Sequence, residues 1–97
     1  MPITVLAGPT ADAELVTAGP LVAPALVTVA PTGSSSDAAD PITDYTWDFA
    51  GWGVTSTGPN PDPVSETIGQ AGTWPVRLTI TTQSGLTDTI VLDVVVD

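Results

Sequence analysis

Thr43-Asp44-Tyr45-Thr46-Trp47-Asp48-Phe49 alternates with a period of two, setting Tyr45, Trp47 and Phe49 on one face and Asp44, Thr46 and Asp48 on the other. Successive side chains of a strand point to opposite sides, so this is the pattern of a half-buried β-strand with an aromatic inner face. Two later stretches repeat it. Trp74, Val76, Leu78 and Ile80 share one side of Trp74–Thr82, with Pro75, Arg77, Thr79 and Thr81 on the other. Ile90, Leu92, Val94 and Val96 face inward from Thr87–Val96, leaving Thr89, Val91, Asp93 and Val95 outside. Gln83-Ser84-Gly85 between them reads as a hairpin connection.

Working outward, shorter strands are expected at Glu14–Thr17, Ala25–Ala30, Val54–Ser56 and Val64–Ile68, with Ile3–Ala7 a further candidate. Pro24 restricts Leu21–Ala25 to an edge strand or crossover, and Pro75 belongs at the start of its strand, because proline has no N–H for a ladder. Helical periodicity with caps is absent. About seven short strands, punctuated by ten Pro and nine Gly, give an all-β fold, a two-sheet antiparallel sandwich. Ninety-seven residues suffice for one such domain. Residues 1–11 are set apart as a lead or attachment arm and residues 12–97 as the sandwich.

Charge and composition exclude most chemistry. The chain has eleven acidic residues against one basic, a net charge of −10, and no His and no Cys. With neither imidazole nor thiol, and with Arg77 as the one cationic side chain, there is no Ser-His-Asp or Cys-His pair, no zinc or haem ligand set, no Schiff-base lysine and no disulfide. No catalytic, cofactor-binding or metal-ligating residue is assigned. A nucleic-acid track needs many cations, and so does a polybasic membrane anchor, so neither partner is expected. Met1–Pro9 lacks the basic and apolar regions of a signal peptide, and no apolar run is long enough to span a bilayer.

Two longer stretches carry a resemblance. Residues 34–53 read Ser-Ser-Ser-Asp-Ala-Ala-Asp-Pro-Ile-Thr-Asp-Tyr-Thr-Trp-Asp-Phe-Ala-Gly-Trp-Gly, and residues 69–82 read Gly-Gln-Ala-Gly-Thr-Trp-Pro-Val-Arg-Leu-Thr-Ile-Thr-Thr. Together they resemble the polycystic kidney disease (PKD) domain, an Ig-like β-sandwich. That family pairs a Tyr-x-Trp-Asp-Phe-Gly-Asp-Gly strand and turn with a later Pro-Gly-Thr-Tyr-x-Val-x-Leu-x-Val strand. Here the Gly-Asp-Gly turn is replaced by Ala50-Gly51-Trp52-Gly53, and the later Tyr by Trp74. The resemblance implies that Trp47 is the buried plug between the sheets, and it implies recognition rather than catalysis. By analogy with small Ig-like and PKD-like domains of tailed-phage particles, it points to a non-enzymatic virion protein decorating the capsid exterior and bound to a major capsid or other virion subunit. A tail-associated Ig-like domain and an extracellular carbohydrate- or surface-binding adhesion module are the alternatives.

Candidate contact residues follow. Ile3, Val5 and Leu6 would act in an arm pairing with a neighbouring subunit by strand addition. Trp52, with Val54 beside it, is either an exposed anchor or a lid over the end of the sandwich. Val91 and Val95 add apolar area to an outward sheet face. Asp37, Asp40, Asp44 and Asp48 supply the hard oxygen ligands of a Ca²⁺ site, but lack any calcium-loop spacing and read first as turn chemistry. A charge of −10 discourages self-association of isolated copies, though not on a particle, and favours a partner with a basic or apolar footprint.

Overall fold

The computed structural model describes residues 8–17, 21–36, 39–50 and 53–97. Seven strands follow one another: β1 (Glu14–Leu15), β2 (Ala25–Ala30), β3 (Ile42–Asp48), β4 (Val54–Ser56), β5 (Val64–Ile68), β6 (Gly72–Thr82) and β7 (Thr87–Val96). They form two antiparallel sheets, β1-β2-β5 and β4-β3-β6-β7. No helix occurs among the described residues, and so none long and apolar enough to cross a membrane. The expected all-β sandwich is what the chain forms.

The inner faces follow the period-two pattern. Val27, Val29 and Ile68 from one sheet meet Trp47, Phe49, Val76, Leu78 and Ile80 from the other, all fully buried. Trp47 fills the centre, and its Nε1–H has no hydrogen-bond partner. Burying an aromatic of this size removes roughly 150–250 Å² from water, worth about 4–6 kcal/mol, against about 1–3 kcal/mol for an unmet donor. The volume term wins, and Trp47 holds the core despite its orphaned proton.

Strand ends depart from expectation where long-range pairing decides them. β6 starts two residues early, because Gly72 and Thr73 pair with Val96 and Val95. Gly72 has φ +143°, a conformation other residues rarely adopt, which turns the chain into the strand. Pro75 therefore sits inside β6 rather than at its start. It lies beyond the last β3 partner, Arg77 opposite Asp48, where β6 has only β7 as a neighbour and a missing N–H is tolerated. Glu14–Thr17 shortens to two strand residues. Leu21–Ala25 is a crossover: the Leu21 carbonyl accepts from the Asp97 N–H at 2.7 Å, and the Ala23 N–H donates to the Asp97 carbonyl at 2.9 Å. The candidate strand Ile3–Ala7 lies outside the described residues. Pro9 and Ala11 are buried and Thr10 exchanges backbone bonds with Ser35, so the described part of the 1–11 lead packs on the sandwich.

Candidate interaction surface

Register across the four-stranded sheet sets one row of outward side chains. Asp48 pairs with Val54 on β4 and Arg77 on β6, and Arg77 pairs with Val91 on β7. Partners directly opposite share a face, so the row reads Val54, Asp48, Arg77, Val91 from edge to edge. Two further pairs continue it towards the end of the sheet, Pro75 with Asp93 and Thr73 with Val95. Val54 is 68% exposed, Val95 59% and Val91 46%. At the β4 end of the row Gly53 passes close to Glu66: a Cβ there would lie 2.7 Å from the Glu66 carboxylate.

Asp48, Ala50, Pro75, Arg77 and Val91 line a shallow hollow of about 120 Å³. Pockets for small ligands run to roughly 300–1,000 Å³, and this hollow is smaller. Arg77 is exposed, and among the described residues its guanidinium makes neither an ion pair nor a hydrogen bond. The one cationic side chain of a chain at −10 is thus presented among valines and a proline, without a partner of its own.

The candidate carboxylates do not converge. Asp40 is buried and accepts from the Ser84 N–H at 2.8 Å and the Ser84 hydroxyl at 2.7 Å, pinning the β6–β7 hairpin. Hydrogen bonds from the Ser84 and Thr82 side chains hold its carboxyl below the usual carboxylate range. Asp44 accepts from the Thr46 and Ser56 hydroxyls, both at 2.5 Å, and Asp48 accepts from the Ala50 N–H at 3.1 Å. The Asp44 and Asp48 contacts are turn and cross-strand contacts local to their own strands, while that of Asp40 joins the β2–β3 connection to the β6–β7 hairpin. Among the described residues no three acidic side chains are placed to hold a metal ion. Asp37 lies outside the described residues.

Of the residues singled out in the sequence, Val54 lies on this face, while Ile3, Val5, Leu6 and Trp52 lie outside the described residues. Carbohydrate stacking would fall to Trp52, since Tyr45, Trp47 and Phe49 are buried and Trp74 is half-buried with its indole N–H on the Gln70 carbonyl. The alignment of Arg77 and Pro75 with Val54 and Val91 emerges only from the strand registers. Its one signal in sequence is the outward placement of a solitary cation between two outward valine strands.

A family model for the PKD domain matches residues 7–96. The chain belongs to the PKD domain family. No curated protein sequence matches it. Among solved structures, the PKD1 domain of Vibrio anguillarum Epp superposes with a TM-score of 0.71 at 26% identity, covering 96% of this chain and 98% of that one. The PKD1 domain from Vibrio cholerae metalloprotease PrtV gives a TM-score of 0.69 at 26% identity, over 94% and 99% of the two chains. PKD domains are non-catalytic, surface-binding or adhesion-type modules.

Proposed function

We propose that this PKD domain is a non-enzymatic recognition protein that grips a protein partner with the outer face of its four-stranded sheet, and that its setting is the exterior of a virus particle, as a capsid decoration. The observation that carries the reading is the row Val54, Asp48, Arg77, Val91, which offers apolar area and, on an otherwise acidic chain, a cation unpaired among the described residues. A matching partner presents an apolar patch with a carboxylate for Arg77, and basic groups facing the acidic remainder. The virion setting rests on analogy with phage particle domains.

A second reading, an extracellular adhesion module within a larger secreted protein, is favoured by the likeness to the PrtV domain. Quantitative mass spectrometry of purified particles separates the two. Many copies per particle, stripped by Val91→Asp or Arg77→Gln, support decoration. Absence from particles, together with glycan-dependent quenching of tryptophan fluorescence, would sink it in favour of adhesion.

A further inference from the structure

The sequence holds two Asp–Pro bonds, Asp40–Pro41 and Asp62–Pro63. In acid this is the peptide bond most open to attack by the aspartate's own carboxyl group. A carboxyl oxygen is a competent nucleophile, and closing a five-membered ring on the adjacent carbonyl carbon gains the full advantage of proximity. Proline has no N–H, so the competing imide, formed when the next backbone nitrogen attacks the side chain, cannot arise. Its tertiary nitrogen is also the more basic leaving group, which makes acid the trigger.

The fold treats the two bonds oppositely. Asp40 is 2% exposed, and both of its carboxylate oxygens are engaged, one by the Ser84 N–H at 2.8 Å and the other by the Ser84 hydroxyl at 2.7 Å. Turning onto its own carbonyl carbon would break both bonds inside the protein. The leaving side is held as well, since the Gln83 N–H donates to the Pro41 carbonyl at 3.0 Å. A severed Pro41 nitrogen would stay beside the cyclic anhydride with little water to intercept it, and the peptide bond would re-form.

Asp62 has none of these restraints. Pro61, Asp62 and Pro63 are all exposed, and among the described residues the Asp62 carboxylate makes neither a hydrogen bond nor an ion pair. Backbone anchors lie on either side of the bond: the Asn60 N–H donates to the Thr57 carbonyl at 3.4 Å, and Val64 opens β5. A cut between Asp62 and Pro63 therefore breaks no backbone hydrogen bond of the fold. The pieces 1–62 and 63–97 carry β1–β4 and β5–β7, and each needs the other. β5 pairs with β2 and β6 with β3, and the core joins Val29, Trp47 and Phe49 of the first piece to Ile68, Leu78 and Ile80 of the second.

We propose that Asp62–Pro63 is an acid-triggered self-cleavage site, and that the cut protein persists as a sandwich of two chains. An oxygen of the Asp62 carboxyl bonds to the Asp62 carbonyl carbon. The C–N bond to Pro63 breaks, and its electron pair leaves with the nitrogen, which takes up the carboxyl proton. Water then opens the anhydride, giving two carboxyl groups on Asp62 and a secondary amine on Pro63, so that one water is consumed overall. The inference does not depend on the sheet face or on the virion setting.

Holding the full chain at pH 3.5 and 37 °C, and following it by denaturing mass spectrometry, tests the site. Fragments 1–62 and 63–97 are expected to form at least tenfold faster than at pH 7, with cutting at Asp40–Pro41 at least tenfold slower. Asp62→Glu, which keeps the charge but needs a six-membered ring, should slow the cut at least tenfold. Urea at the same pH releases Asp40 from Ser84 and should bring the two bonds to similar rates. Returned to pH 7, the cut protein should elute with the intact chain in size exclusion and be heavier by one water in native mass spectrometry. No cut at pH 3.5, equal cutting at both bonds without urea, or an unchanged rate in Asp62→Glu overturns the site. Fragments that separate at pH 7 overturn the two-chain sandwich.

Discussion

Ala50 shows most directly what the altered turn costs. Its φ is +52°, and the backbone there is left-handed, a region that costs a residue with a Cβ about 1–2 kcal/mol. The family pattern has Gly at the corresponding place, after Trp-Asp-Phe, and the Asp48 carboxylate holds the strained residue by accepting its N–H at 3.1 Å. Ala50→Gly should therefore stabilise the domain. Part of the gain is offset by the greater freedom of Gly in the unfolded chain, roughly 0.5–1 kcal/mol, leaving a net of up to about 1 kcal/mol. In a domain of this size that corresponds to a rise in Tm of several degrees, about 4–8 °C per kcal/mol. Thermal unfolding followed by circular dichroism measures it. A fall in Tm would mean that Ala50 makes packing contacts worth more than its strain.

At the scale of elements, the β6–β7 hairpin is tied to the β2–β3 connection by one carboxylate. Asp40 lies 44 residues from Ser84 in sequence and accepts both its N–H and its hydroxyl. The carboxyl sits below its ordinary pKa in the fold, so the ionised form is what the fold favours. Its contribution is present above the unfolded carboxylate value, about 4, and is lost as pH falls through the lower folded value. Melting temperature should drop in acid for the natural chain. Asp40→Asn should melt lower at neutral pH and lose part of that acid dependence; curves for the two that stay parallel down to pH 2 would refute the link. This pairing also marks the limit of what the sequence discloses. The bounds of β2, β5 and β7 are readable from period-two alternation between Pro and Gly, because each of these strands buries alternate residues. The carboxylate of Asp40 gives no local sign of Ser84, and Gly72-Thr73 gives none of joining β6, since both depend on partners brought near by the fold. For the same reason the row Val54, Asp48, Arg77, Val91 is visible only once three registers are known, although each residue's outward direction is plain from its own strand.

Over the whole molecule, eleven acidic residues share a small surface with one basic residue. Like charges at this density repel in the compact state, and at 20 mM salt the repulsion reaches across most of the domain, because the screening length is then about 20 Å or more. Added NaCl should raise Tm, most steeply below about 0.2 M, where the screening length falls under 10 Å. Arg77 tells whether the sheet face is there for folding or for contact. If it stabilised the fold by a specific ion pair, its removal would cost more than the background field accounts for. Its guanidinium has no such partner among the described residues, so Arg77→Gln should shift stability by no more than about 0.5 kcal/mol, the range of an ordinary surface substitution. That small loss should fade as salt is added, since it reflects only the overall charge moving from −10 to −11. Paired thermal melts of the natural chain and Arg77→Gln in 20 and 500 mM NaCl measure both effects. A large loss that persists at 500 mM would show Arg77 to be a structural residue, and the sheet face would then lose its claim to a cation kept for a partner.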